Sequence, residues 1–364
     1  MYNILKLNKI SPVINDIFDE KYALKDEEGN PDGILVRSAN MAEYAVGNKL
    51  VAIARAGAGV NNIPVEEMAK KGIVVFNTPG ANANAVKELV ICGMLLASRD
   101  IIGGNKWVNG LTENVAKTTE KGKSAFAGHE IFGKTLGVIG LGAIGRLVAN
   151  ACVALGMKVV GYDPFLNDDM KKLLDKNVKT ATLEEVIASS DIITLHVPLT
   201  DGTKNMINAE SIAKMKDGVI VLNMARGALV NAADIKKALA EKKVAKYVVD
   251  FPDEETINAE GIIAIPHLGA STEEAEDNCA VMAANQIKDY IENGNILNSV
   301  NYPKLSKERT GKVRTCVLFQ AEDQKAVEKL DGDKKVAVRG NYGYAIVDAD
   351  KEVSFDKALK IRVL

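Results

Sequence analysis

The chain has 364 residues, 47% of them hydrophobic and 26% charged, with a formal net charge of −2 at pH 7. That length exceeds one ordinary core, so two or three domains are expected, and the charge balance leaves no footprint for nucleic acid or an anionic membrane surface. No run approaches the roughly 18 consecutive apolar residues that a bilayer span requires. The opening Met1-Tyr2-Asn3-Ile4-Leu5-Lys6 lacks an export signal's long apolar stretch and reads as a first strand. Cys92, Cys152, Cys279 and Cys316 lie far apart in apolar surroundings and form no C-x-x-C. They are expected to be reduced, buried thiols of a cytoplasmic protein, with no metal site.

In chain order, Gly33-Ile34-Leu35-Val36-Arg37, Leu50-Val51-Ala52-Ile53-Ala54 and Gly72-Ile73-Val74-Val75-Phe76 are short continuous apolar runs. Such runs suit parallel strands covered on both faces, and residues 65–70 read as a crossover helix. A longer helix follows from about Ala85, with Val86, Leu89, Val90, Gly93, Met94 and Ala97 on one stripe. Residues 108–130 lose the apolar pattern and read as a Lys-rich surface loop. Strands are then expected at 136–139, 157–163, 191–197, 218–223, 247–250 and 262–266, with a Thr182-Leu183-Glu184-Glu185 capping box opening one intervening helix. Six strands alternating with helices make a second doubly wound sheet. A long helix from Thr272 to about Asn293 leads to a linker at Asn301-Tyr302-Pro303.

Beyond about Lys312 the pattern changes. A strand at 315–319, a helix at 322–330, a hairpin across Gly340-Asn341, a short helix at 355–360 and a last strand at 361–364 give the order βαββαβ, a small ferredoxin-like module. The whole is therefore an α/β chain. It has two doubly wound parallel-sheet domains, one flavodoxin-like and one Rossmann, and a C-terminal ferredoxin-like module. The expected boundaries are 1–96 completed by 270–300, then 97–269, then 304–364.

The most specific motif is Gly140-Leu141-Gly142-Ala143-Ile144-Gly145, between an apolar strand and a helix, with Asp163 closing the next strand 18 residues after Gly145. That is the dinucleotide fingerprint in its proper context. Gly140 permits the tight turn, Gly142 leaves room for a pyrophosphate, and Gly145 lets helix and strand approach. The helix start then offers free N–H groups to phosphate. Asp163 would accept from an adenosine ribose and repel a 2′-phosphate, which favours NAD over NADP.

Only three histidines are present. His267 follows a strand's carboxyl end, where open α/β sheets hold ligands, so it reads either as a general acid/base or as a hydrogen-bonded loop residue. His196 ends another strand and reads as structural or cofactor-facing. His129 reads as a surface or hinge residue. Arg226, before Gly227 at a further strand end, offers a fork for a carboxylate or a structural ion pair. An acid of Asp253-Glu254-Glu255 could hold an imidazole protonated, or the run is a solvated face. Arg55-Ala56-Gly57 ends a strand of the first domain, and backbone N–H groups there could hold an anion.

From about Leu50 to Pro303 the chain resembles the D-isomer-specific 2-hydroxyacid dehydrogenases, most closely their phosphoglycerate branch. The residues that carry the resemblance are Arg55-Ala56-Gly57, Asn77-Thr78-Pro79, Gly133-Lys134-Thr135-Leu136-Gly137, the glycine fingerprint and Tyr162-Asp163-Pro164. With them go His196-Val197-Pro198-Leu199-Thr200, Asn223-Met224-Ala225-Arg226-Gly227, Asp250-Phe251-Pro252 and Pro266-His267-Leu268-Gly269-Ala270-Ser271-Thr272. The resemblance implies NAD-dependent oxidation of 3-phospho-D-glycerate at C2, with a catalytic set of Arg226, Glu255 and His267. It implies NAD contacts at Thr78, Gly140, Gly142, Ala143, Ile144, Gly145, Asp163, His196, Val197, Pro198, Met224, Ala225, Asp250 and Gly269. Substrate contacts would come from Arg55, Ala56 and Gly57, with Lys121 and Lys123 standing where relatives often carry arginines for the substrate phosphate.

The acid motif departs from the family pattern: counting from Asp250 selects Glu255, counting from Phe251 selects Glu254, and Glu255 is the expectation. Also implied are a homodimer or homotetramer, a small 2-hydroxy or 2-oxo acid as the molecule bound, and a tail like a shortened ACT domain. The alternatives are a glyoxylate or hydroxypyruvate reductase and, from another class, a non-catalytic NAD(H)-sensing regulator.

Overall fold

The computed structural model describes residues 1–27 and 29–364. Two compact units divide the chain, Met1–Asn82 with Glu273–Leu364, and Ala83–Thr272.

In the first unit, β1 (Tyr2–Lys6), β2 (Tyr22–Lys25), β3 (Gly33–Val36), β4 (Ala52–Arg55) and β5 (Val74–Phe76) form a sheet in the order β2-β1-β3-β4-β5. Every pairing is parallel, and the order is the flavodoxin-like one. β3 and β5 are buried along their whole length, which is why they stand out as continuous apolar runs. α1 (Val65–Lys70) is the expected crossover.

The second unit opens with α2 (Ala83–Ser98), α3 (Ile101–Asn109) and α4 (Val115–Gly122). The expected loop at 108–130 thus holds all of α4 and the last two residues of α3. Neither α3 nor α4 has a buried residue, so no apolar stripe marks them. Then come β6 (Thr135–Ile139), α5 (Ala143–Ala154), β7 (Lys158–Tyr162), α6 (Asp168–Lys171), β8 (Val178–Thr180), α7 (Leu183–Ser189) and β9 (Ile192–Leu195). α8 (Ala209–Ala213), β10 (Val219–Asn223), α9 (Ala232–Ala240), β11 (Val244–Val249) and β12 (Ile262–Ala264) complete the unit.

The sheet order is β12-β11-β10-β9-β6-β7-β8, parallel throughout. The order reverses between β6 and β9, the switch point where such sheets bind ligands. The capping box of α7 forms, Glu185 N–H to Thr182 Oγ1 at 3.2 Å and Thr182 N–H to Glu185 Oε2 at 2.8 Å. α2 belongs to this unit because Val86, Val90, Met94 and Ala97 share a core with Val148, Leu222 and Val248. The unit therefore begins at Ala83 rather than at the expected 97.

α10 (Glu273–Asn293) returns the chain to the first unit and is followed by β13 (Val313–Gln320), α11 (Gln324–Val327), β14 (Asp333–Arg339), β15 (Tyr342–Ala349) and β16 (Lys360–Val363). The last four strands pair antiparallel in the order β14-β15-β13-β16. The expected helix at 355–360 is instead a turn, with Ala358 N–H donating to Phe355 O at 3.0 Å before the chain enters β16. This terminal sheet shares a core with α10: Cys316, Leu318, Tyr344 and Ile346 pack with Ala280, Ala284, Ile287 and Ile291.

Cys152, Cys279 and Cys316 are buried, but Cys92 is exposed on α2, against the expectation of four buried thiols. The apolar stripe of α2 points the other way. Among the described residues no helix is long and apolar enough to cross a membrane.

Candidate active site

In the second unit the residues singled out from sequence gather at the carboxyl ends of the parallel strands. Gly140 follows β6, Asp163 follows β7, His196 follows β9, Met224 to Arg226 follow β10, and Asp250 follows β11, while His267 comes soon after β12.

The glycine turn has the shape its spacing predicts. Gly140 sits at φ +95°, and a Cβ there would meet His196 O at 2.5 Å. A Cβ on Gly145 would lie 1.8 Å from Gly140 O, whereas one on Gly142 would meet nothing within 4 Å. The space over Gly142 is thus open, and α5 begins there with no side-chain cap on its first N–H groups, an arrangement suited to pyrophosphate. Ala143 is exposed and Ile144 half-buried in the first turn of α5. Asp163 is half-buried; its Oδ2 accepts from Leu141 N–H at 2.9 Å and its Oδ1 from Phe165 N–H at 2.8 Å. The carboxylate therefore braces the glycine turn and keeps further lone pairs for a ribose.

His196 Nε2 lies 2.9 Å from Thr194 Oγ1, while its Nδ1 is buried without a partner. Burial pushes its pKa down to about 4, so the ring is neutral at pH 7. Val197 is half-buried beside Gly140, and Pro198 is exposed. Gly269 is buried, with Val86 Cγ2 lying 3.1 Å from where its Cβ would stand.

Asp250 is 1% exposed and its Oδ1 has no hydrogen-bond partner. Burial raises its pKa from the ordinary 3.8 to about 6, against the opposing pull of the Arg226 charge. An orphaned buried acceptor on the sheet edge that also carries the open glycine turn fits a ligand carrying an amide donor, as a nicotinamide does.

Arg226 is placed by the turn after β10. Asn223, fully buried, donates from Nδ2 to Arg226 O at 3.0 Å and accepts at Oδ1 from Ala225 N–H at 3.2 Å. Met224 is buried and Ala225 half-buried, while the Arg226 guanidinium is exposed and donates to Ala225 O at 2.6 Å. Its Cζ stands 5.3 Å from the centre of the Phe251 ring. The His267 ring, also exposed, stands 4.1 Å from that same ring centre at an interplanar angle of 42°. One phenyl ring therefore touches both expected catalytic groups. Phe251 and Asn223 were visible in the sequence only as motif letters; neither type is chemically reactive, and their position at strand ends is the signal that points to them.

Glu254 and Glu255 are both exposed, on a turn where Asp253 Oδ1 accepts from Glu255 N–H at 3.2 Å and Thr256 N–H at 2.9 Å. Lys121 and Lys123 are exposed at the end of α4, Lys123 paired with Glu120 at 2.6 Å. His129 is exposed, its N–H bonded to Ser98 O at 2.9 Å.

In the first unit, Arg55 ends β4 and its Nε donates to Arg37 O at 3.1 Å. Ala56 is buried, and a Cβ on Gly57 would meet the Arg55 guanidinium. Thr78 is buried and its N–H donates to Gly57 O at 3.1 Å. These residues also lie at the carboxyl edge of a parallel sheet.

Residues 91–270 match the family model described as D-isomer specific 2-hydroxyacid dehydrogenase, NAD binding domain. The chain is 34% identical over 333 residues to the D-3-phosphoglycerate dehydrogenase of Bacillus subtilis, covering 86% of this chain and 62% of that protein. It is 40% identical over 257 residues to the hydroxypyruvate reductase of Thermotoga maritima, covering 67% of this chain and 80% of that one. Among solved structures, the NAD+-bound 3-phosphoglycerate dehydrogenase of Entamoeba histolytica superposes with a TM-score of 0.63 at 29% identity, covering 84% of this chain and 99% of that chain. The chain spans 51% to 62% of the length of the bacterial and archaeal phosphoglycerate dehydrogenases it matches.

Proposed function

This chain belongs to the D-isomer-specific 2-hydroxyacid dehydrogenases, and from that premise we propose that it oxidises 3-phospho-D-glycerate to 3-phosphohydroxypyruvate with NAD, the entry to serine synthesis. The observation that carries the proposal is the meeting of Arg226 and His267 on the Phe251 ring, 5.3 Å and 4.1 Å from its centre. NAD, when bound, supplies the hydride acceptor. Arg226 binds the substrate carboxylate and C2 oxygen through its fork and polarises them. His267 takes the C2 hydroxyl proton in oxidation and returns it in reduction. Glu255 is the acid assigned to hold the imidazolium, and Glu254, one position earlier, is the alternative.

Asp250, with its orphaned Oδ1, is assigned to the nicotinamide amide. Asp163 is assigned to the ribose, and the turn from Gly140 to Gly145 to the pyrophosphate. Thr78, His196, Val197, Pro198, Met224, Ala225 and Gly269 complete the assigned coenzyme shell. Arg55, Ala56 and Gly57 are assigned to the substrate anion, and Lys121 and Lys123 to its phosphate as point charges. The terminal sheet is read as a shortened ACT-like module, and the assembly as a homodimer or homotetramer.

The test is a substrate series followed at the NADH absorbance band, comparing phosphorylated and unphosphorylated 2-hydroxy acids. Arg226→Ala is expected to all but abolish turnover, and His267→Asn to lose catalysis while still binding NADH. Near-normal turnover in either variant removes its assignment. A second reading, reduction of hydroxypyruvate or glyoxylate, is favoured by the identity to the Thermotoga protein and by lysines where a phosphate fork would serve better. Higher turnover on unphosphorylated substrates selects it. No turnover on any 2-hydroxy acid leaves the NAD(H)-sensing alternative.

A further inference from the structure

We propose that Phe251 is a positioning residue whose ring fixes the separation of the Arg226 guanidinium and the His267 imidazole. The inference rests on the reading of those two groups as the substrate-orienting and proton-exchanging pair. Arg226 Cζ lies 5.3 Å from the ring centre, within the distance at which a guanidinium is drawn to a π-face. The imidazole lies 4.1 Å from the same centre, tilted by 42°, an aromatic contact whose geometry is directional. A single half-buried ring thus touches two exposed side chains, and a displacement of the ring changes the surroundings of both.

The chemistry gives the ring a second effect. In the oxidation direction His267 gains a proton, so a cation forms near an arginine. The two positive groups would repel across open water, whereas the electron-rich faces of one ring attract both.

The backbone holds Phe251 itself in place. Gly227, next to Arg226, has no Cβ, and one added there would meet Phe251 O at 3.2 Å and Phe251 Cβ at 3.7 Å. The turn that carries Arg226 therefore lies directly on the residue that carries the ring. Asp250, immediately before it, is buried at the end of β11. Both neighbours of the ring are accordingly set by strand ends rather than by loose loop.

The test separates the π-face from simple bulk. Phe251→Leu keeps apolar volume and loses the ring; Phe251→Tyr keeps the ring. Phe251→Leu is expected to lower kcat by roughly ten- to a hundredfold, the scale of a displacement of about 1 Å in a catalytic group, with NADH affinity unchanged. Phe251→Tyr is expected to restore most of the turnover. In histidine-labelled protein, assigned by comparison with His267→Asn, the imidazole protons of His267 are expected to show a ring-current displacement that Phe251→Leu removes and Phe251→Tyr keeps.

Wild-type kcat and KM in Phe251→Leu, with Arg226→Ala and His267→Asn inactive, overturn this inference and leave the proposed function standing. Active Arg226→Ala and His267→Asn overturn the proposed function instead. Should Phe251→Leu fold poorly, the wild-type spectrum still decides, because a His267 signal without ring-current displacement refutes the contact.

Discussion

Asn223 donates a hydrogen bond from its buried amide to the carbonyl oxygen of Arg226 at 3.0 Å. The same amide reaches Tyr247 Oη at 3.2 Å, and its Oδ1 accepts from Ala225 N–H at 3.2 Å. One fully buried side chain therefore ties the turn after β10 to the neighbouring strand β11, and the guanidinium inherits its position from that tie.

Asn223→Ala is expected to lower kcat/KM by roughly tenfold or more, because it frees a turn on which an oriented fork depends. It also takes a partner from Ala225 N–H and from the buried Tyr247 hydroxyl, at about 1–3 kcal/mol, while Arg226 O keeps Leu229 N–H at 3.1 Å. Steady-state kinetics with urea unfolding in parallel check both parts. A variant that loses stability but keeps wild-type turnover would show that Arg226 orients itself without the tie.

Asp250 and His196, both shifted by burial, give opposite pH slopes. Asp250 is raised from 3.8 to about 6 by burial, so the folded state keeps a proton that the unfolded chain has released. Its contribution to stability therefore falls as pH rises from about 4 to 6. His196 is lowered from 6.5 to about 4, also by burial, so the unfolded chain binds a proton that the folded state refuses. Its contribution falls as pH drops from 6.5 to about 4. Asp250→Asn is expected to stabilise the coenzyme-free protein above pH 6.5 by up to about 3 kcal/mol, and to leave a curve that falls monotonically toward acid. Unfolding midpoints across that window test this, and an unchanged high-pH stability would mean that Asp250 is not held against its charge.

The strands were readable where burial is two-sided. Ile34, Leu35 and Val36 are fully buried, and their run appears in the sequence without interruption. β2 and β8 did not stand out because they are sheet edges. Tyr22 is the one buried residue of β2, and β8 has none. α3 and α4 escaped for the same reason, since helices that cover no core carry no stripe. The sequence pattern at 355–360 suggests a helix where the chain makes a turn, because Phe355 and Ala358 pack on the small cluster of Val317, Phe319 and Val347 without needing one. At the site, glycines, Asp163, Arg226 and His267 carry chemistry in their side chains or their lack of one. Phe251 and Asn223 act by position, which spacing alone does not disclose. Glu254 and Glu255 are both exposed, and replacing each separately by Gln distinguishes them by kcat.

The glycines separate binding from folding. A Cβ on Gly142 meets nothing within 4 Å, while one on Gly145 collides with Gly140 O at 1.8 Å. Gly142→Val is expected to melt like the parent and to bind NADH at least tenfold more weakly, about 1.4 kcal/mol, because its side chain occupies the space reserved for pyrophosphate. Gly145→Ala is expected to lose stability and coenzyme together. Thermal melts and NADH fluorescence titrations distinguish the two, and undiminished NADH binding by Gly142→Val would sink the cradle assignment.

The terminal sheet completes α10. The carbonyl oxygens of Tyr290 and Ile291 accept from the two terminal nitrogens of Arg362, each at 2.9 Å. Asn293 O accepts from Arg314 Nη1 at 2.8 Å, and Gly294 O from Tyr344 Oη at 2.5 Å. A helix leaves its last carbonyls without internal partners; here those of Ile291 and Asn293 are satisfied by side chains of β16 and β13, Tyr290 O takes Arg362 as a second donor beside Gly294 N–H at 3.0 Å, and the carbonyl of Gly294, one residue past the helix, is taken by β15. Arg314 is in turn clamped by Asp348, at 2.7 Å and 2.9 Å, and Asp348 by Lys307 at 2.6 Å. Arg362→Ala is expected to cost about 1–3 kcal/mol, chiefly through the Ile291 carbonyl left without that donor. Arg314→Ala is expected to cost more, about 3–5 kcal/mol, because it strips the partner from a buried carboxylate. Hydrogen exchange over the last turn of α10 should rise in both variants. If both melt like the parent and that turn stays protected, the helix end holds without the sheet, and the terminal module is an appendage rather than part of the first unit's core.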